Sequence, residues 1–197
     1  MSDYSQPEFY HFTQDSIELA KYVITQIEPS KIFNILDACC GCGVIGLEIL
    51  KNCSFPNLSK VMAIEKEVSF LNYIKSNSKV IDGKINFEIY ITDIQNFLNQ
   101  PLINFDLIVS NPPYYLDYEG RSSHNPLRDR CMRWSSDDED AFIRLFKKLS
   151  RNGIGYFLSK KSIDDWKIKV EKVDRSLVLK SEKKLAGANV FSLSYFE

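Results

Sequence analysis

The stretch Asp37-Ala-Cys-Cys-Gly41-Cys-Gly43-Val-Ile-Gly46 decides the fold. It begins inside IFNILDA (32–38), an apolar run that reads as a buried strand, and runs into a helix over 43–53 with Val44, Leu47 and Leu50 on one face. Glycines at such a corner let the backbone approach a ligand, and the helix N-terminus then points at it. Working outward, the periodicity alternates helix and strand. Before the corner lies a helix over 15–27, with Ile17, Ala20, Ile24 and Ile27 in one stripe and Asp15 and Glu18 spaced as a capping box. After it come a strand at 61–65 (VMAIE), a helix over about 66–77 and a strand at 85–91 whose alternation suits a half-covered edge.

FDLIVS at 105–110 reads as a central parallel strand. Ser136 and Glu139 are spaced as a capping box for a helix running to about 151. GIGYFLS at 153–159 is the fifth strand, and a helix follows from about 161. The last two strands, near 173–181 and 189–196, are joined by a turn containing Gly187 that is too short for a parallel crossover. The expected fold is therefore α/β, a doubly wound Rossmann-like seven-stranded sheet in the order 3-2-1-4-5-7-6 with strand 7 antiparallel. One domain is expected over 1–197, with 1–30 a helical lead-in and 31–197 the sheet and its helices.

Composition narrows the function classes. The chain has 197 residues, 44% hydrophobic and 26% charged, which suits one sizeable core. No apolar run approaches the roughly 18 residues that span a bilayer, and MSDYSQPEFYHF lacks the pattern of a signal peptide, so a cytoplasmic chain without membrane contact is expected. Five cysteines, an odd number, fit a reducing compartment. A net charge of −1 excludes general coating of nucleic acid and leaves room only for a local basic patch.

Two motifs carry chemistry. Gly41, Gly43 and Gly46 satisfy a dinucleotide fingerprint as well as other nucleotide loops, and Glu65 at the end of the second strand suits a ribose diol. Asp37 favours a ligand with an ammonium group, such as the methionine end of S-adenosylmethionine, over a pyrophosphate. Asp93 is either an acceptor for an adenine amino group or a helix N-cap. The second motif is Ser110-Asn111-Pro112-Pro113-Tyr114, directly after the fourth strand. Pro112 forces Asn111 into an extended conformation, and two prolines fix the direction of the Pro112 carbonyl. The Asn111 oxygen and that carbonyl make two acceptors for a planar amine, and Tyr114 offers a face for stacking. Strands one and four are neighbours where the sheet order reverses, so both motifs point to one crevice.

These residues resemble class I S-adenosylmethionine methyltransferases of the Asn-Pro-Pro-Tyr group, and most specifically the bacterial tRNA(Val) adenine-37 N6-methyltransferases. The similarity includes Tyr10 to Ala20, the glycine loop, Glu65, Asp93, SerAsnProProTyr, Asn125 to Arg130 and Arg133-Trp134-Ser135. It implies that Asp37, Cys39, Gly41, Gly43, Glu65, Asp93 and Asn111 bind S-adenosylmethionine. It further implies that Asn111, Pro112 and Tyr114 act on an adenine N6 of structured RNA, most plausibly tRNA. The family usually has glycine where Cys39 stands, which bears on cofactor affinity.

Arg121, Arg128, Arg130 and Arg133 against Asp129 make the loop at 119–135 basic. With Tyr114, Tyr115, His124 and Trp134 beside them, Arg128, Arg130 and Arg133 are the expected RNA contacts. The clustered Cys39, Cys40 and Cys42 lack paired C-x-x-C arms, so no metal is expected. The acids Asp137 to Asp140 match the dipole of a first helical turn, and His11 receives no role. A monomer is favoured. The rival activities are glutamine N5-methylation of a release factor, DNA adenine methylation, an NAD-dependent oxidoreduction and a non-catalytic binding module. Only about one helix precedes the first strand to grip a protein substrate, no insertion is large enough for DNA target recognition, and a proton donor for nicotinamide chemistry is not apparent.

Overall fold

Side chains alternate across a strand, and Asn34–Ala38 (β1) divides them between two cores. Leu36 and Ala38 join one apolar layer, while Ile35 joins the other. The computed structural model describes residues 4–81, 83, 85–101, 103–119, 122–185 and 187–196. Beside β1 lie Lys60–Glu65 (β2), Phe87–Ile91 (β3), Phe105–Ser110 (β4), Leu149–Ser159 (β5), Leu177–Lys184 (β6) and Asn189–Tyr195 (β7). They form one sheet in the order β3-β2-β1-β4-β5-β7-β6. β7 runs antiparallel to both β5 and β6, and the remaining pairs are parallel. This is the expected order, with the expected antiparallel strand.

Helices Gln14–Gln26 (α1), Val44–Asn52 (α2) and Leu71–Asn77 (α3) pack on the face that carries Ile35, Val61, Leu107 and Val109. Ile94–Leu98 (α4), Ser136–Leu145 (α6) and Ile163–Val173 (α7) cover the opposite face, where Phe142, Phe157 and Trp166 meet edge to face or tilted. A short helix, Pro126–Met132 (α5), lies between β4 and α6.

Several boundaries differ from the sequence reading. α1 is capped at Thr13 without a side-chain bond, so the spacing of Asp15 and Glu18 forms no capping box. Asp15 is instead buried in the first turn. The capping box of α6 is Ser135 with Asp138, one residue before the expected Ser136 with Glu139. That register turns Glu139 inward, where it is 0% exposed and pairs with Lys161 and with Lys169 at 2.6 Å. A buried carboxylate needs such partners, so this acid does more than match a helix dipole. α6 gives way to β5 at Leu149, where Leu149 pairs with Phe105 of β4. Two more strands of two residues each, Tyr115–Leu116 and Arg133–Trp134, pair in parallel outside the main sheet. Among the described residues no helix is long and apolar enough to cross a membrane.

Candidate active site

In the pairing of β1 with β4, Ala38 stands opposite Ser110. The Ser110 hydroxyl, fully buried, donates to the Ala38 carbonyl at 2.7 Å and ties the two strand ends together. Cys39 and Asn111 therefore leave the sheet side by side, about one strand spacing apart. Here the chain order reverses, the place where open parallel sheets bind ligands.

After Ala38 the backbone is left-handed at every second residue: Cys39 (φ 53°), Gly41 (φ 54°) and Gly43 (φ 80°). Glycine accepts that conformation freely, whereas Cys39 carries a cost of roughly 1 kcal/mol. The coil is fixed by Cys40 N–H donating to the Ile64 carbonyl (3.0 Å) and Gly43 N–H to the Cys40 carbonyl (2.7 Å). Glu65 closes it: Gly41 N–H donates to Oε2 at 2.8 Å and Glu67 N–H to Oε1 at 2.9 Å. Each carboxylate oxygen keeps a lone pair for a further donor. Glu65 is only 8% exposed, and burial raises its pKa despite these bonds.

Asp37 stands behind the loop, not on its open side. Its Oδ2 accepts from Gly46 N–H at 2.9 Å, and a Cβ at position 46 would press on that oxygen at the same distance. Oδ1 is buried without a hydrogen-bond partner among the described residues. Burial pushes the Asp37 carboxyl up to about 7, outweighing the opposing Gly46 bond. Gly43 caps α2 and likewise lies off the cleft wall.

The cleft is lined by Cys39, Gly41 and Glu65 together with Asn111 and Pro113. Tyr10, Phe70, Thr92, Asp93 and Ile94 complete the pocket, with Arg130, Cys131, Arg133, Trp134 and Asp138 contributing from the loop after β4. It encloses ≈ 730 Å³ of empty space including the open mouth. Asp93 holds both expected positions at once: it lines the cleft and caps α4, accepting from Asn96 N–H and Asn96 Nδ2 at 2.7 Å each. Of the residues expected to bind a cofactor, Cys39, Gly41, Glu65, Asp93 and Asn111 meet on one cavity.

Asn111 donates from Nδ2 to Ser16 Oγ in α1 at 3.0 Å. Pro112 is buried, and Tyr114 packs against the α1 face of the core rather than on the cleft wall. The Tyr114 hydroxyl is buried without a partner among the described residues, and burial raises its pKa. Lys160, at the end of β5, sits 5.1 Å from the Tyr114 ring centre and 5.4 Å from that of Tyr115, and donates to the Tyr115 hydroxyl at 3.2 Å. No signal marked Lys160, and Ser16 was marked only by lying in the Tyr10 to Ala20 segment of the resemblance, because each reaches the motif from a distant element.

The arginine loop divides. Arg128 is exposed on α5. Arg130 is exposed and pairs through two nitrogens with Glu67, at 2.7 and 3.2 Å. Arg133 corrects the sequence reading. It is 8% exposed, and its guanidinium donates to Asp129 Oδ1 (3.0 Å), the Leu116 carbonyl (3.1 Å) and the Glu119 carbonyl. Those internal bonds make it a clamp at the base of the loop, with little left to offer a phosphate. Arg121 lies outside the described residues.

The cleft thiols are poor nucleophiles. Burial pushes Cys131 up to about 12 and raises Cys39 as well, with Glu65 adding to both. All five cysteines are free. Among the described residues no group of three or more His, Cys, Asp or Glu side chains could hold a metal ion. Tyr10, Phe70, Cys131, Trp134 and Asp138 were not expected on the cleft. The only sequence signal was that Tyr10 and Trp134 fall in segments that carry the family resemblance.

Comparison with known proteins agrees with this geometry. A tRNA1(Val) (adenine(37)-N6)-methyltransferase of Yersinia enterocolitica is 30% identical over 123 residues, which cover 62% of this chain and 47% of that protein. The chain thus spans about half the length of the curated relatives it matches. Among solved structures, the ribosomal protein L11 methylase of Lactobacillus delbrueckii subsp. bulgaricus superposes with a TM-score of 0.66 at 14% identity, over 95% of this chain and 81% of that one. The Thermus thermophilus 16S rRNA N2 G1207 methyltransferase, in complex with AdoMet and guanosine, has a TM-score of 0.66 at 15% identity, covering 94% and 44%. These two show a shared fold. The model of the methyltransferase small domain matches residues 11–125, more than half of the sequence, and the chain belongs to that family.

Proposed function

We propose that this chain is an S-adenosylmethionine-dependent methyltransferase acting on the N6 of an adenine in structured RNA, most specifically tRNA. The observation that carries the reading is the shared cleft, which Asn111 lines together with Cys39, Gly41 and Glu65. The curated relatives' name, tRNA1(Val) adenine(37)-N6-methyltransferase, supports the substrate class.

The residues fit the cofactor. Glu65 offers the free lone pairs of a nearly buried carboxylate to a ribose diol, and Ile64, Phe70 and Ile94 give apolar walls for an adenine. Of the acids lining the cavity, Asp138 pairs with Lys66 and Glu67 with Arg130, which leaves the carboxylates of Glu65 and Asp93 to favour a cationic ligand. Asp37 supports the loop through Gly46 and keeps one unpaired oxygen for the ammonium end, directly or through water. When bound, S-adenosylmethionine supplies an electrophilic methyl group on a positively charged sulfur.

The protein positions the amine. Asn111 Oδ1 and the Pro112 carbonyl accept the two N–H bonds, which draws the nitrogen out of conjugation and frees its lone pair for attack. Asn111 is an acceptor and not a base, and the protonated thiols of Cys39 and Cys131 play no covalent part. Rate enhancement comes from positioning and preorganised dipoles. Tyr115 with Lys160 over its ring, and the exposed Arg128 and Arg130, are the groups left to meet RNA, while Tyr114 packs behind them on the α1 side.

Radiolabelled methyl transfer to total tRNA, followed by nucleoside mass spectrometry, tests the reading, with N6-methyladenosine the expected product. Label on a release factor and none on RNA would replace it with glutamine methylation. Asn111→Ala is expected to lower methyl transfer about 100-fold or more while S-adenosylhomocysteine binds within a few-fold of wild type. Unchanged turnover in that variant would refute the role of the amide.

A further inference from the structure

We propose that Ser16 is a positioning residue that holds the Asn111 carboxamide with its oxygen toward the amine. The inference rests on the function proposed above. An asparagine amide has one acceptor end and one donor end of nearly equal size, and rotating it exchanges them. With the donor end toward the cleft, the amide would confront the N–H bonds of the substrate with its own. The motif by itself does not choose between these orientations. Prolines 112 and 113 restrict the backbone and leave the side-chain torsion free.

The choice is made from α1. Ser16 is 4% exposed, and its Oγ takes the Asn111 Nδ2 donor at 3.0 Å, across 95 positions of sequence. With the nitrogen bound to α1, the oxygen is the end of the amide left for the cleft that Asn111 lines. Ser16 itself is held in place. Asp15, its buried neighbour, fills the space where a side chain at Gly187 would sit, so the first turn of α1 is wedged between the β6–β7 turn and Asn111. Ser16 is absent from the cleft lining and acts only through Asn111.

The test compares wild type with Ser16→Ala by steady-state kinetics on tRNA, S-adenosylhomocysteine calorimetry and NMR of the Asn111 side-chain amide, assigned with Asn111→Asp. The expected result is a kcat about tenfold lower, the size of one lost hydrogen bond, with KM for tRNA and the S-adenosylhomocysteine Kd within about twofold. The two Asn111 amide proton signals should also shift or merge. A wild-type kcat, or unmoved Asn111 signals, overturns the proposal. So does a loss of S-adenosylhomocysteine binding in proportion to kcat, since that marks a general defect of the fold. If wild type transfers no methyl group to tRNA, the reading of function fails, and the NMR arm still decides whether Ser16 holds the amide.

Discussion

The two walls of the cleft are built on different plans. The wall formed by the β1 loop and β2 uses residues close in sequence, Cys39 to Glu67, and is held by backbone N–H groups donating to carbonyls and to the buried Glu65 carboxylate. The facing wall is gathered from α1, β4 and the loop at 126–138, and single side chains join it: Ser16 to Asn111, Ser110 to Ala38, Arg133 to Leu116 and Arg130 to Glu67. The first wall is a turn that cannot be loosened without breaking several backbone-donated bonds at once. The second depends on a few long-range contacts, any of which can be altered alone.

The largest effect should come from cutting the second wall at its clamp. Arg133→Ala strands the Leu116 and Glu119 carbonyls and the Asp129 carboxylate, and should destabilise the protein by about 3 kcal/mol in urea unfolding. A loss well under 1 kcal/mol would mean that this wall stands without its guanidinium.

In the first wall the corresponding test is Asp37→Asn. Burial holds the proton on Asp37 up to about pH 7 in the folded protein, whereas the unfolded chain releases it near the ordinary aspartate value of about 3.9. The unfolded state therefore binds fewer protons across that window, and wild-type stability should fall as pH rises through it. An asparagine does not ionise and still accepts from Gly46 N–H. Its stability should lack that fall and exceed wild type at pH 8 by on the order of 2 kcal/mol. Parallel pH profiles for the two proteins would show that Asp37 is ionised throughout.

Smaller effects sharpen the contrast. Cys39→Gly relieves a left-handed non-glycine residue and should raise stability by up to about 1 kcal/mol in thermal unfolding, with S-adenosylhomocysteine bound no more weakly. A lowered Tm would show that the thiol's packing outweighs its backbone strain. Arg128→Glu should reduce the log–log salt slope of tRNA binding by about 1 while leaving S-adenosylhomocysteine affinity unchanged. An unaltered slope would remove Arg128 from the RNA surface.

The same division explains what the sequence disclosed. Strand order followed from apolar runs and from the short Gly187 turn, both local signals. The glycine loop, Glu65 and Asp93 were legible because their partners lie within a few dozen residues. The start of α6 was misplaced by one residue because Ser135-Ser136 followed by Asp137 to Asp140 offers two capping registers. The distant Lys161 and Lys169, which draw Glu139 inside, select between them. Asp15 read as half of a local cap because its packing against Gly187 depends on the C-terminal hairpin. Arg133 read as one of several loop arginines; only the fold shows that three of its donors hold Asp129, Leu116 and Glu119.

The parallel pairing of Tyr115–Leu116 with Arg133–Trp134, reinforced by Asp117 N–H donating to the Trp134 carbonyl at 3.0 Å, draws the segment between them into a closed neck. A segment gathered at its neck can change length or composition at its tip while the seam below stays fixed. Grafting another tip between residues 119 and 126 would therefore be a way to change what the loop meets while leaving the cleft beneath it unaltered.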